Sequence, residues 1–153
     1  MTRVDFYILP DDSNRGLELF ACRLAEKAHS QGLKIYINTQ SEQQTESLNS
    51  LLWTYKQDSF LPHEIAVKGS NAEAPIMLGY GIEPEQSFGL LINLDHEVPL
   101  YFSQFERLAE LVNQNEQVKQ KGRERFRFYK DREYLINSHD MANNNTTNKM
   151  GAK

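Results

Sequence analysis

Residues 89–94 read Gly-Leu-Leu-Ile-Asn-Leu, an apolar run too short to make a helix of its own and apolar at successive positions. Successive side chains of a strand point to opposite faces, so such a run is buried above and below, as in a parallel sheet covered by helices on both sides. Val4 to Leu9 reads as another buried strand, and Pro10-Asp11-Asp12-Ser13-Asn14 supplies turn and helix-capping chemistry after it. Leu17, Phe20, Ala21, Leu24, Ala25 and Ala28 then recur at helical spacing, and Gln31-Gly32 closes that helix before a strand from Leu33 to Asn38. Thr39 or Ser41 can cap a second helix that carries Leu48, Leu51 and Leu52 toward Trp53, and Glu64 to Val67 and Pro75 to Leu78 read as short strands. Pro99 is expected to open a third helix through Phe102, Phe105, Leu108, Ala109, Leu111 and Val112, with Asn113-Gln114-Asn115 breaking it before a basic helix from about Glu116 to Tyr134.

Strands alternating with helices predict an open α/β fold, a mostly parallel sheet with right-handed crossovers and helices on both faces. A chain of 153 residues, 39% hydrophobic, is sized for one core, so a single domain over residues 1–138 is expected. Residues 139–153 are polar and aperiodic, and read as a disordered tail that buries too little to offset its ordering entropy. No apolar run approaches the ~18 to 20 residues of a membrane span, and Met1-Thr2-Arg3-Val4-Asp5-Phe6 is not the start of a signal peptide; the expectation is a cytoplasmic protein with no membrane partner.

Several classes of chemistry are disfavoured. Cys22 is the only cysteine, which leaves no internal disulfide and no cysteine zinc cluster, and its place within a helix makes it a structural thiol. His29, His63, His96 and His139 lack metal-ligand spacing. The turn after the first strand, Pro10 to Gly16, carries a proline and two carboxylates where a phosphate-binding turn carries glycines, so no nucleotide cofactor is expected. Asp95-His96-Glu97 at the end of the strongest strand is the best enzyme-like cluster, and a small α/β nucleotide-binding or hydrolytic enzyme is the alternative class; a polar strand terminus explains the cluster equally well.

Charge points to binding instead. From Lys119 to Arg132 stand seven bases (Lys119, Lys121, Arg123, Arg125, Arg127, Lys130, Arg132) against two acids, a local +5 in a chain of net −4, which leaves −9 elsewhere. Lys119, Arg123, Phe126 and Lys130 fall along one helical stripe. Such a stripe suits an acidic peptide ending in an apolar residue: a guanidinium takes a carboxylate through two hydrogen bonds, and a ring lines a pocket. The same cations would attract single-stranded DNA directly, although the −9 elsewhere opposes a long phosphate track. A solvated face behind a core Phe126 and Tyr129 fits the periodicity as well. Trp53 and Phe60, with Tyr55 and Leu61-Pro62-His63, form a second concentration; these rings either cover an edge of the core or anchor an interface.

Taken in order, Phe6-Tyr7-Ile8-Leu9, Leu52-Trp53, Ser59-Phe60-Leu61-Pro62-His63, Ala74-Pro75 and Lys119-Gln120 leading to Arg123-Glu124-Arg125-Phe126 and Tyr129 resemble the chi subunit family of bacterial DNA polymerase III over about residues 3 to 135. The resemblance implies a Rossmann-like α/β fold without a nucleotide cofactor and a non-catalytic accessory subunit of the clamp loader. It implies two partners: the psi subunit, at positions matching Trp53 and Phe60, and the acidic C-terminal tail of single-stranded DNA-binding protein, at positions matching Val118, Lys119, Arg123 and Phe126. The family often has tyrosine at the last of these, so Phe126 keeps the apolar wall and loses a hydroxyl. Contact with DNA is then mostly indirect.

Overall fold

The computed structural model describes residues 1–56, 61–69, 73–85 and 89–142. Ser59 and Phe60, and residues 143–153 of the expected tail, lie outside them.

Among the described residues seven strands form one sheet: β1 (Arg3–Ile8), β2 (Ile35–Asn38), β3 (His63–Ile65), β4 (Ile76–Gly79), β5 (Leu90–Asn93), β6 (Arg107–Val112) and β7 (Ile136–Asp140), in the order β3-β4-β2-β5-β6-β1-β7. Every pairing is parallel, a step beyond the mostly parallel sheet expected. Helices α1 (Asn14–Ser30) and α2 (Glu42–Thr54) cover one face and α3 (Glu116–Asp131) the other. Alternation sorts the strand residues between them: Tyr7, Ile35, Ile37, Leu90, Ile92 and Leu111 meet α1 and α2, while Val4, Phe6, Tyr36, Leu91, Leu108 and Val112 lie on the α3 side.

Local signals set the helix starts. Ser13 caps α1 by accepting from the Gly16 amide at 3.0 Å. Of the two candidates for α2, Ser41 is the cap, accepting from Gln44 N at 3.0 Å while the Gln44 side chain reaches back to Gln40 N at 2.9 Å. Asn115 caps α3 through the amides of Gln117 and Val118.

Two expectations are corrected. Residues 99–112 are not a helix: a short 3-10 turn, Phe102–Gln104, leads into β6. Both faces of β6 are buried, and a strand buried on both sides shows the same dense apolar pattern as a helix. The domain boundary at 138 is also too early, because His139 and Asp140 belong to β7, which pairs with β1. The polar character of this strand is accounted for locally: His139 Nε2 lies 3.0 Å from Asp5 Oδ1, and its ring stacks on Tyr7 at 4.7 Å. Among the described residues no helix is long and apolar enough to cross a membrane.

Candidate protein-interaction site

Helix α3 is held to the sheet by a buried polar cluster whose centre is Glu110 of β6, fully enclosed at 0% exposure. Arg125 Nε donates to Glu110 Oε1 at 2.8 Å, and Tyr129 donates its hydroxyl proton to Glu110 Oε2 at 2.5 Å. Asn93 Nδ2, from β5, lies 3.0 and 3.1 Å from the two carboxylate oxygens, and Asn38 of β2 in turn donates to Asn93 Oδ1 at 3.0 Å. Arg125 Nη1 reaches the His96 carbonyl at 2.9 Å, so the guanidinium also fixes the loop after β5. Burial pushes the Glu110 carboxyl above its ordinary range, and the Arg125 charge and the hydrogen bonds from Tyr129, Asn93 and Arg125 pull against that shift by favouring the ionised form. Burial first, and the Glu110 charge second, raise the Tyr129 hydroxyl, which stays a proton donor across the ordinary pH range. Glu110 and Asn93 carried a legible signal, because a polar residue inside a run buried on both faces needs a partner across the core.

The cluster corrects the charge count. Arg125, one of the seven bases counted between Lys119 and Arg132, is 3% exposed and neutralised by Glu110, so six bases remain on the outside of α3 against Glu124 and Asp131. The predicted stripe is assembled on that outer side. Arg123 and Lys130 are exposed, and Val118 and Lys119 half-buried. Lys119 Nζ stands 4.0 Å from the exposed Glu116 carboxylate, a weak contact at the outer limit of an ion pair. Phe126 is half-buried, its ring meeting Phe6 edge-on at 5.3 Å, so it belongs partly to the core and partly to the surface; Tyr129 is wholly core. Along α3, half-buried apolar Val118 and Phe126 thus stand among the cations Lys119, Arg123 and Lys130.

Gly122 sets how close this surface lies to the sheet. A Cβ at that position would come 2.6 Å from Val112 Cγ1 of β6, so the helix packs on the Val112 side chain with no room for a side chain of its own there.

Trp53, the other predicted contact residue, ends α2 beside β3. It is 55% exposed, and its ring lies 4.6 Å from that of His63 at 58°. His63 itself is buried, its Nδ1 2.6 Å from the Leu61 carbonyl. The structure does not bring Trp53 and the α3 stripe together: β3 is one edge of the sheet while β1 lies next to the other, and α2 and α3 are on opposite faces.

The backbone of the Asp95-His96-Glu97 segment is tied to Asn93 and Asp95. The Asp95 and Glu97 carbonyls lie 3.3 Å from Asn93 Nδ2, and the His96 amide donates to Asp95 Oδ1 at 2.7 Å. At the first turn the Asp11 carboxylate packs against Gly16, where a Cβ would collide with it, so the amino end of α1 already has an anion beside it. No cluster of three or more metal-ligating side chains occurs among the described residues.

Comparison with known proteins bears on the same residues. The chain is 41% identical over 139 residues to the DNA polymerase III subunit chi of Pseudomonas aeruginosa, covering 91% of this chain and 96% of that protein. It is 30% identical over 123 residues to the Haemophilus influenzae subunit chi, covering 80% and 85%, and 25% identical over 143 residues to that of Escherichia coli, covering 90% and 97%. Residues 1–137 match the family described as DNA polymerase III chi subunit, HolC. With the match spanning β1 through the start of β7, and so the strands β1 to β6 and the helices α1, α2 and α3, the chain belongs to the chi subunit family of DNA polymerase III.

Proposed function

We propose that this accessory subunit of DNA polymerase III is non-catalytic and works as an adaptor, holding the acidic C-terminal tail of single-stranded DNA-binding protein on α3 and the psi subunit of the clamp loader around Trp53. The observation that carries the reading is the composition of the α3 surface: Arg123 stands exposed beside the half-buried ring of Phe126, with Lys119 and Val118 one turn earlier. A guanidinium next to an apolar ring fits a peptide that ends in acids and an apolar side chain. The Trp53 ring has the size and exposure of an interface anchor. Phe60, the second psi-facing position, lies outside the described residues and enters on the family resemblance alone. Two sites on opposite faces, each of modest affinity, raise the effective concentration of the polymerase at coated template strands.

The test is titration of the full chain with an acidic tail peptide and, separately, with bare single-stranded DNA, each over a range of salt. Peptide binding should weaken with salt and level off, since burial of the terminal apolar side chain is not screened. Deleting that side chain should abolish binding with all the acids still present. Binding that survives the deletion, or DNA affinity that matches the peptide and vanishes steeply with salt, identifies the rival reading, direct capture of DNA by the basic helix.

A further inference from the structure

Away from both surfaces, the amino ends of β1, β5 and β6 border an open cleft of about 600 Å³, lined among others by Arg3, Leu33, Gly89, Ser103, Glu106 and Arg107. Arg3 and Arg107 begin β1 and β6 and are paired directly across the parallel ladder, on the same face of the sheet. Two like charges opposite one another on neighbouring strands repel, and a bound anion reverses the sign of that contact. Arg3 is about half exposed along its side chain and stands 3.6 Å from Asp5, a carboxylate it shares with His139. Arg107 lines a small pocket together with Tyr7, and its Nε is buried and meets no acceptor among the described residues. That pocket also brings Lys27 and Gln31 from the end of α1. Gly89 packs tightly on Leu33 at the wall of the cleft, where a Cβ would come 2.9 Å from Leu33 Cδ2.

We propose that this cleft binds a phosphate group, held by the paired guanidiniums of Arg3 and Arg107. Two adjacent guanidiniums match a dianion better than the single charge of a carboxylate, and their fork geometry suits tetrahedral oxygens. A volume of this size takes a mononucleotide, so the phosphate arrives on a small phosphate ester or on the 5′ end of a DNA strand.

Amide NMR shifts of the full chain, followed during titration with inorganic phosphate, test the site directly. Saturable shifts confined to Thr2, Arg3, Gly89 and Ser103 to Arg107 are expected, with α3 silent. Arg107→Met should weaken that binding by about tenfold or more without moving the melting temperature, and Arg107→Lys should retain an intermediate affinity. A deoxynucleoside 5′-monophosphate and a short oligonucleotide with and without a 5′ phosphate then separate the sources: preference for the monomer assigns a small ester, and preference for the 5′-phosphorylated strand over its hydroxyl form assigns a DNA end. Shifts that grow linearly without saturation, or that saturate unchanged in Arg107→Met, overturn the proposal.

Discussion

Arg123 and Arg125 stand two residues apart on one helix and face opposite energetics. Arg123 is exposed, so Arg123→Ala should leave the melting temperature in place and weaken the acidic tail peptide by about 2 kcal/mol, the scale of a lost carboxylate contact. Arg125→Ala instead strands the Glu110 carboxylate in the core, and breaking a buried pair from one side costs about 3 to 5 kcal/mol. A melt and a peptide titration on both variants check the contrast, and equal effects on stability would refute it. Sequence alone counted the two arginines together, because helical spacing states which side chains share a stripe and is silent on which acid waits across the sheet. Cys22 illustrates the opposite case, legible at once from a single cysteine inside an apolar helix face. Its thiol is 0% exposed and burial pushes it up to about 12, so at pH 8 it stays protonated and alkylation should proceed only as fast as the chain opens. Modification much faster than amide exchange of the core strands would contradict that burial.

At the scale of elements, Gly122 is the point where α3 packs on the Val112 side chain of β6. Alanine is the better helix former by about 1 kcal/mol, yet the added Cβ overlaps Val112 and must push the helix outward or displace the strand. We expect Gly122→Ala to lower the melting temperature despite that propensity gain; a rise would mean that Val112 yields freely. The displacement would also strain the Arg125 and Tyr129 bonds to Glu110, so tail binding should weaken with stability. The elements that sequence located best were those with unambiguous ends: β1 before a proline turn, α1 between Ser13 and Gly32, and α3 after Asn115. Residues 107–112 look helical in sequence because their burial on both faces erases the period of two that identifies a strand. His139 and Asp140 look like tail in sequence because the groups that receive His139, Asp5 and Tyr7, lie in β1, far away along the chain.

Across the whole molecule, the sheet order puts Trp53 at one edge and the α3 stripe near the other, on opposite faces. Trp53 stands by β3, and Phe126 packs on Phe6 of β1, five strand positions away, or roughly 24 Å at the usual strand spacing. A separation of that size with no shared side chain predicts additive, independent effects of substitution at the two sites. Trp53→Ala should therefore weaken binding of the psi subunit by roughly 2 to 4 kcal/mol, a factor of about thirty to a thousand, and leave the acidic tail peptide unaffected. Stability should change little, since more than half of the ring already faces solvent at 55% exposure and no cavity forms in the core. A structural role for the ring has a different signature. Loss of its packing on His63 would loosen the end of α2 and β3, lower the melting temperature by several degrees, and weaken both partners together. Melting temperature and both affinities measured on the same variant distinguish the two, and joint loss of both partners with a large drop in melting temperature would reject the adaptor model at Trp53.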